Sequence, residues 1–394
     1  MGGDGMSEWK KVKLEDVCEI TSSKRIYLSD YVSTGIPFYR SKEIIEKKRG
    51  ADITNFLYIS KEKYDNIKKN FGVPQSGDLL VTSVGSLGIP YVIMDDDPFY
   101  FKDGNLIWFK NFCKCLNSKF LYYWICSSAG HSALLNIAIG SAQKALTISA
   151  FKNFSIYIPQ IEVQNRLVEI LSRYDSLIEN YQNQIKLLEE AAQRLYKEWF
   201  VDLRFPGYEN TPVVDGVPEG WEIKSIIDVY NFKYGKILPT KDFVKDGAIP
   251  VYGASKQIGR YSKANCFEPK VLIGSRGNAG FVHRTIEDET YVTNNSFIVE
   301  PKKEFKHLRL PYIYESLKAI DFVAICTGAA QPQLTLNSIA SLKYIIPSDR
   351  IITDYCDVSV HFFKKVAMSY KQIRLLTEAR DRLLPKLMSG EIEV

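Results

Sequence analysis

Residues 184–195 read QIKLLEEAAQRL and residues 372–383 read QIRLLTEARDRL, so eight of twelve positions are identical at an offset of 188. A chain that repeats such a segment uses one unit twice, and what it holds is expected to have two halves. The loop Gly140-Ser141-Ala142-Gln143-Lys144-Ala145-Leu146-Thr147 matches Gly328-Ala329-Ala330-Gln331-Pro332-Gln333-Leu334-Thr335 at the same offset, as does Ile158-Pro159 with Ile346-Pro347. Further upstream the offset drifts. Ser83 to Gly88 answers Ser275 to Gly280 at 192, Trp9 answers Trp221 at 212, and Ile36-Pro37 answers Ile249-Pro250 at 213. Each copy thus joins a length-variable region to a helix of fixed length. A period near 190 residues suits a duplicated domain rather than a solenoid.

The fixed parts carry a heptad seam. In the first copy Leu167, Leu171, Tyr174, Ile178, Tyr181, Ile185, Leu188, Ala192, Leu195 and Trp199 alternate in steps of four and three. The second copy repeats the seam with Tyr355, Ser359, Phe362, Val366, Ser369, Ile373, Leu376, Arg380, Leu383 and Leu387. Pro159 precedes the first helix and Pro206-Gly207 follows it; Pro347-Ser348-Asp349 opens the second, with Pro385 and Gly390 near its end. A helix of 39 residues is roughly 58 Å long. One such seam could be ordinary bundle core. Two equal copies favour two rods packed on each other antiparallel, as a coiled coil of set length.

The variable parts read as β-rich. Leu79-Leu80-Val81, Tyr91-Val92-Ile93 and Leu106-Ile107-Trp108-Phe109 are short apolar runs broken by turns. Ile249 to Tyr252, Val271-Leu272-Ile273, Phe281-Val282 and Ser296 to Val299 repeat the style, and Phe120 to Ile125 reads as helical. The fold class is therefore α+β: two mixed α/β globular domains separated by two long antiparallel helices, with a pseudo-two-fold internal duplication. The expected divisions are 6–158 and 201–347 for the globular domains, and 159–200 and 348–394 for the helices.

No run of 18 apolar residues is present, and the first residues lack a signal peptide's apolar stretch, so a cytoplasmic protein with no membrane partner is expected. Seven scattered cysteines without CxxC spacing are expected to be reduced thiols, and Cys113-x-Cys115 is too close for the usual zinc knuckle, so no metal is expected. Charge is unevenly placed. Residues 161–200 carry five basic and seven acidic groups, whereas 233–284 carry ten basic against three acidic and 24–69 eleven against six. Contact with a phosphate backbone needs such positive excess in the globular halves, although solubilising lysines would read the same way.

Two variable domains, each followed by Ile-Pro and a long helix, resemble the specificity subunit of type I restriction–modification systems. The first helix ends in Ala191-Ala192-Gln193-Arg194-Leu195-Tyr196-Lys197-Glu198-Trp199-Phe200, and the second in Ala379-Arg380-Asp381-Arg382-Leu383-Leu384-Pro385-Lys386-Leu387-Met388-Ser389-Gly390-Glu391-Ile392; both are similar to that family's conserved regions. The Gly-Ser-Ala-Gln loop at 140–143 also recurs there. The resemblance spans essentially the whole chain. It implies that each globular domain is a target recognition domain reading one half of a split sequence in double-stranded DNA. It implies too that the helices hold the domains apart and dock two modification (methyltransferase) subunits. ATP-driven restriction subunits complete such a complex. S-adenosylmethionine, ATP and magnesium would then sit on those partners, with no cofactor and no catalysis on this chain.

On that reading the helix residues Leu167, Leu171, Tyr174, Ile178, Tyr181, Ile185, Leu188, Leu195, Trp199, Phe362, Val366, Ile373, Leu376, Leu383 and Leu387 form the coiled-coil and subunit interface. Base edges are best read by Arg, Lys, Asn and Gln, and glycine lets backbone approach phosphate. Candidate DNA contacts in the first copy are Lys24, Arg25, Arg40, Lys42, Ser83, Ser86, Gln143 and Lys144. In the second they are Lys233, Lys236, Lys256, Gln257, Arg260, Arg276, Asn278, Gln331 and Gln333. The glycine loops could equally be plain hairpin turns.

The catalytic alternatives are thin. No phosphate-binding G-x-x-x-x-G-K-[ST], no G-x-G-x-x-G and no Asn-Pro-Pro-aromatic run occurs. Asp215 with Glu222-Ile223-Lys224 resembles a nuclease carboxylate–lysine cluster, but the matching Lys10-Lys11-Val12 lacks the glutamate. A coiled-coil scaffold with protein-binding ends is the other reading of the rods. RNA binding is disfavoured because no K/R-G-F-x-F run occurs.

Overall fold

The computed structural model describes residues 9–48, 50, 53, 55–140, 144–328 and 331–394. The chain divides into two compact units: residues up to Asn180 together with Ile373–Val394, and Tyr181–Gln372.

The first unit opens with strand Lys10–Lys13 paired antiparallel to Ser155–Ile158, the strand that leads into Pro159. A four-stranded sheet follows in the order Glu19–Thr21, Leu106–Lys110, Leu79–Thr82, Pro90–Val92. Its central strand Leu79–Thr82 is buried throughout, which is why Leu79 to Val81 reads as a continuous apolar run rather than an alternating one. A second sheet contains Tyr31–Val32, Leu57–Ile59, Ile36–Tyr39 and Tyr100–Phe101, the last pair parallel. Helix Ser118–Cys126 lays Phe120, Leu121, Tyr123 and Ile125 into the core.

The second unit repeats this plan. Glu222–Ser225 pairs with Lys343–Ile346, and a four-stranded sheet runs Tyr230–Tyr234, Ser296–Pro301, Val271–Gly274, Val282–Arg284. Its smaller sheet places Ile249–Tyr252 between Gln257–Tyr261 and a parallel Tyr291–Val292. The drift in sequence offset now has a cause. Helices Ser41–Lys48 and Lys61–Phe71 occupy the first unit where the second has a short hairpin.

The long helices run Ile161–Tyr196, continued by a π-turn Lys197–Val201, and Asp349–Met388. None of the ten seam positions read from the sequence in either helix is exposed, whereas the off-seam Leu177 and Leu187 are. Pro385 lies inside the second helix, in its last turn before Met388. Each helix divides between the units because its two ends bury in different cores. Leu167, Val168 and Leu171 share the first unit's core with Leu384, Leu387 and Met388 from the other helix. In the second unit Tyr196, Trp199 and Phe200 pack around Tyr355, with ring centroids 6.2, 5.9 and 5.0 Å away.

The polar seam residue Arg380 is paired. Arg380 Nη1 lies 2.6 Å from Asp175, whose other oxygen accepts from the Tyr123 hydroxyl at 2.6 Å. In the second unit Arg284 is 6% exposed, sits 4.4 Å over the Phe363 ring and reaches Glu189 at 3.5 Å.

Nearby Glu315, on helix Leu310–Lys318, is buried, and burial pushes its carboxyl up from 4.5 to about 7. A raised carboxyl holds its proton longer in the folded state, so its contribution is complete below pH 4.5 and is lost as pH rises through about 7. Glu315→Gln is therefore expected to gain stability over the wild type by roughly 3 kcal/mol above that window and little below it. Urea unfolding at pH 5 and pH 8 measures this; an equal wild-type-to-variant difference at both would refute it.

One cysteine expectation fails. Cys113 and Cys115 are joined in a disulfide, their Cα atoms 5.2 Å apart across the turn at Lys114 and within bridging range. Cys18, Cys126, Cys266, Cys326 and Cys356 are free thiols.

A candidate nucleic-acid interface, built twice

Both units carry the same backbone frame at the glycine loops. In the first, the Ser83 amide donates to the Asn105 carbonyl at 2.9 Å, and the Leu146 amide to the Ser83 carbonyl at 2.9 Å. In the second, Ser275 donates to Asn295 at 2.8 Å and Leu334 to Ser275 at 3.0 Å. The repeated loops close alike: Ile139 and Ala145 exchange amide bonds of 2.9 and 2.8 Å, as do Thr327 and Gln333. Thr147 and Thr335 then cap the following short helices through their side chains, which accept from Ala150 and Ser338. The turns Ser83 to Gly88 and Ser275 to Gly280 need glycine. Gly85, Gly88, Gly277 and Gly280 all have φ between 70° and 82°, a region L-residues avoid.

Around the second frame three loops meet. Asn278 Nδ2 donates to Ser255 Oγ at 2.6 Å, tying the turn to the tip of the hairpin that carries Lys256. Arg276 faces Gln333 in an antiparallel bridge, tying the turn to the repeated loop. Lys236 joins through its backbone, bonded to Val292 at 3.0 Å and to Asn294 at 3.2 Å. Gly274 is where the loops approach most closely: a Cβ there would stand 2.2 Å from the Asn278 carbonyl and 2.6 Å from that of Ala254. Lys236, Lys256, Gln257, Arg276, Asn278 and Gln331 are exposed and Gln333 is half-buried.

Other candidates are placed differently. Arg260 donates to the carbonyls of Gly247 and Ala248, so its guanidinium supports its own hairpin. Lys233 pairs with Glu300 at 2.9 Å, which also holds Lys270 at 2.6 Å. Gln257 turns back to the Gly259 carbonyl at 3.3 Å.

In the first unit Ser83 is buried and donates to the Gly104 carbonyl at 2.9 Å. Arg40 grips buried Glu43 with two nitrogens, and Arg25 pairs with Asp103 at 2.9 Å. The Arg40–Glu43 pair holds the carboxyl of Glu43 below its usual range despite burial. Lys24, Lys42, Ser86 and Lys144 stay exposed, Lys24 lying 4.5 Å from the Phe71 ring and Lys42 3.7 Å from Glu46. Gln143 lies outside the described residues.

Lys102 was not singled out in the sequence. It is exposed, and its amide bonds to the Tyr39 carbonyl at 2.9 Å, beside the turn that holds Ser83. Thr293 makes the matching bond to Tyr252 at 3.0 Å in the other copy, and because the two residues differ in type no repeat in the sequence marks the position.

Asp215 proves to be a turn residue. Asp215-Gly216 joins Val213–Val214 to Val217–Pro218 with φ of 49° and 79°, a two-residue hairpin turn, and Lys224 pairs with Glu222 at 2.6 Å. Among the described residues no group of His, Cys, Asp and Glu could hold a metal ion, and no helix is long and apolar enough to cross a membrane.

Residues 6–190 and 218–355 match the type I restriction modification DNA specificity domain. The chain belongs to that family and is a DNA-sequence specificity subunit of the type I restriction–modification class. It is 24% identical to the type I restriction enzyme MjaIX specificity subunit of Methanocaldococcus jannaschii, over 98% of this chain and 94% of that one. It is 23% identical to the HindI specificity subunit of Haemophilus influenzae, over 98% and 100%. The crystal structure of a type I S subunit from M. genitalium shares the fold, with a TM-score of 0.59 and 18% identity over 96% of each chain.

Proposed function

We propose that each globular region reads one half of a bipartite sequence in double-stranded DNA, and that the chain carries no chemistry of its own. One observation supports this above all: a single backbone frame is built twice, and the two copies expose different polar side chains from it. The regions reading DNA would be 6–158 and 201–347, joined by the helices at 159–200 and 348–394. Those helices would pair antiparallel as a coiled coil, fix the distance between the readers, and dock two methyltransferase subunits, with ATP-dependent restriction subunits completing the assembly. S-adenosylmethionine, ATP and magnesium would belong to those subunits, and the site of action is the cytoplasm.

Selection from randomised duplex DNA by the full chain, alone and with its modification subunits, tests the reading. Two conserved half-sites at fixed spacing are expected, and a bound pool with no shared sequence would refute it. The purified chain is also expected to neither cleave DNA nor transfer labelled methyl groups. Incorporation of label by the chain free of partner subunits would overturn the non-catalytic assignment.

Exposed lysines at the frame should contact phosphate. Lys236→Ala with Lys256→Ala is expected to lower the log–log salt slope of binding by about 1.8, at about 0.9 per lost contact. An unchanged slope would mean that both lysines are merely solvated.

A further inference from the structure

Outside the two long helices, the described arginines almost all spend their guanidinium groups on the protein. Arg25 holds Asp103, Arg40 holds Glu43 and Arg204 holds Glu198. Arg260 caps two carbonyls, Arg284 reaches Glu189 and Arg309 pairs with Asp357 at 2.7 Å. Outside those helices, Arg276 is the one described arginine that is exposed with no side-chain partner.

Its backbone, in contrast, is fixed on every side. Ser275 before it is 1% exposed, donates to Asn295 and accepts from Leu334. Gly277 after it takes the left-handed turn, and the turn closes with the Gly280 amide on Gly274 at 2.8 Å. A free guanidinium on a pinned base is what base reading demands, because the ordering cost of the backbone is already met and only side-chain rotors remain to be fixed. Gln333 opposite Arg276 in the antiparallel bridge projects from the same face, so a second bidentate group stands beside the first.

The first copy lacks both. Offsets of 192 and 188 place Val84 where the second unit has Arg276 and Ala145 where it has Gln333, on the same hydrogen-bonded frame. A guanidinium presents a planar fork of donors that matches the O6 and N7 acceptors of guanine in the major groove, and valine offers no donor at all.

We propose that Arg276 is a specificity-determining residue: it reads a guanine in the half-site of the second unit, a contact that the first unit's frame cannot make. The assignment rests on the DNA-reading function proposed above. It is separable from that function, because one side chain can be exchanged without touching the frame.

The test is selection from randomised duplex by the full chain with its modification subunits, comparing wild type, Arg276→Val and Arg276→Lys. The wild type is expected to enrich an invariant guanine at one position of one half-site. Arg276→Val should lose that preference at that position alone, with discrimination falling about 5- to 150-fold and the other half-site unchanged. Arg276→Lys keeps the charge but not the fork, so its salt slope should stay near wild type while discrimination at that guanine weakens. Arg276→Lys that keeps both the motif and the discrimination would make Arg276 a phosphate contact and overturn the assignment. Arg276→Val enriching the wild-type motif, guanine included, overturns it as well. A wild type that enriches no sequence defeats the DNA-reading function itself, an outcome distinct from either.

Discussion

Exchanging residues 6–158 for the corresponding region of a relative is expected to rewrite one half of the DNA target and leave the other half untouched. The expectation comes from the way each frame is closed within its own unit. The Ser83, Asn105 and Leu146 backbone bonds of one copy and the Ser275, Asn295 and Leu334 bonds of the other involve no residue in common. For the original target the loss should be large, about 10³-fold or more, since sequence-specific binding exceeds non-specific binding by at least that much. Methylation mapping of the assembled complex reads the outcome directly. A change in both halves would show that the two regions do not read independently.

The second large effect concerns spacing. Deleting the heptad 176–182 shortens the first long helix while keeping its seam in phase, and the mismatch with the intact second helix should destabilise the pair. Deleting 364–370 as well restores equal lengths. It also retains Asp175, Arg380, Tyr196 and Tyr355, the residues that tie the helices within each unit. The pair is then shorter by about 10 Å, which corresponds to about three base pairs at 3.4 Å each. Duplexes carrying the same half-sites at graded spacings should show the preferred spacer reduced by roughly three base pairs, or binding lost because the half-sites have rotated by about a third of a turn. Native spacing preferred with unchanged affinity would mean that the helices do not set the distance.

Periodicity made much of this legible. Heptad steps located the buried side of both helices, seam polar residues included, because a helix buried along one stripe must repeat near 3.5 residues whatever else it does. The offset of 188 located the loop and the capping threonines, since a backbone frame copied twice keeps its spacing. Residue type alone does not show which cations have intrachain partners. Arg40 and Arg260 look like free cations in the sequence, but buried Glu43 and the carbonyls of Gly247 and Ala248 claim them. The burial of Ser83 was equally hidden: being beside glycine does not expose a hydroxyl, and its partner carbonyl lies 21 residues away. The bridge between Cys113 and Cys115 depends on the turn at Lys114, which no spacing rule specifies.

The split of each helix between two cores also orders events in time. The unit of residues 181–372 is contiguous, whereas the other needs Leu384, Leu387 and Met388 beside Leu167 and Leu171. During synthesis at 5–20 residues per second, the amino-terminal part waits about 10–40 s after Asn180 for the segment beginning at Ile373. The usual amino-to-carboxyl sequence of domain folding is thereby inverted, with the second-made unit able to complete its core first. Through that interval the surfaces of Leu167 and Leu171 are unfinished, which makes the nascent amino-terminal half the stage of biogenesis where chaperone capture and misassembly compete with folding.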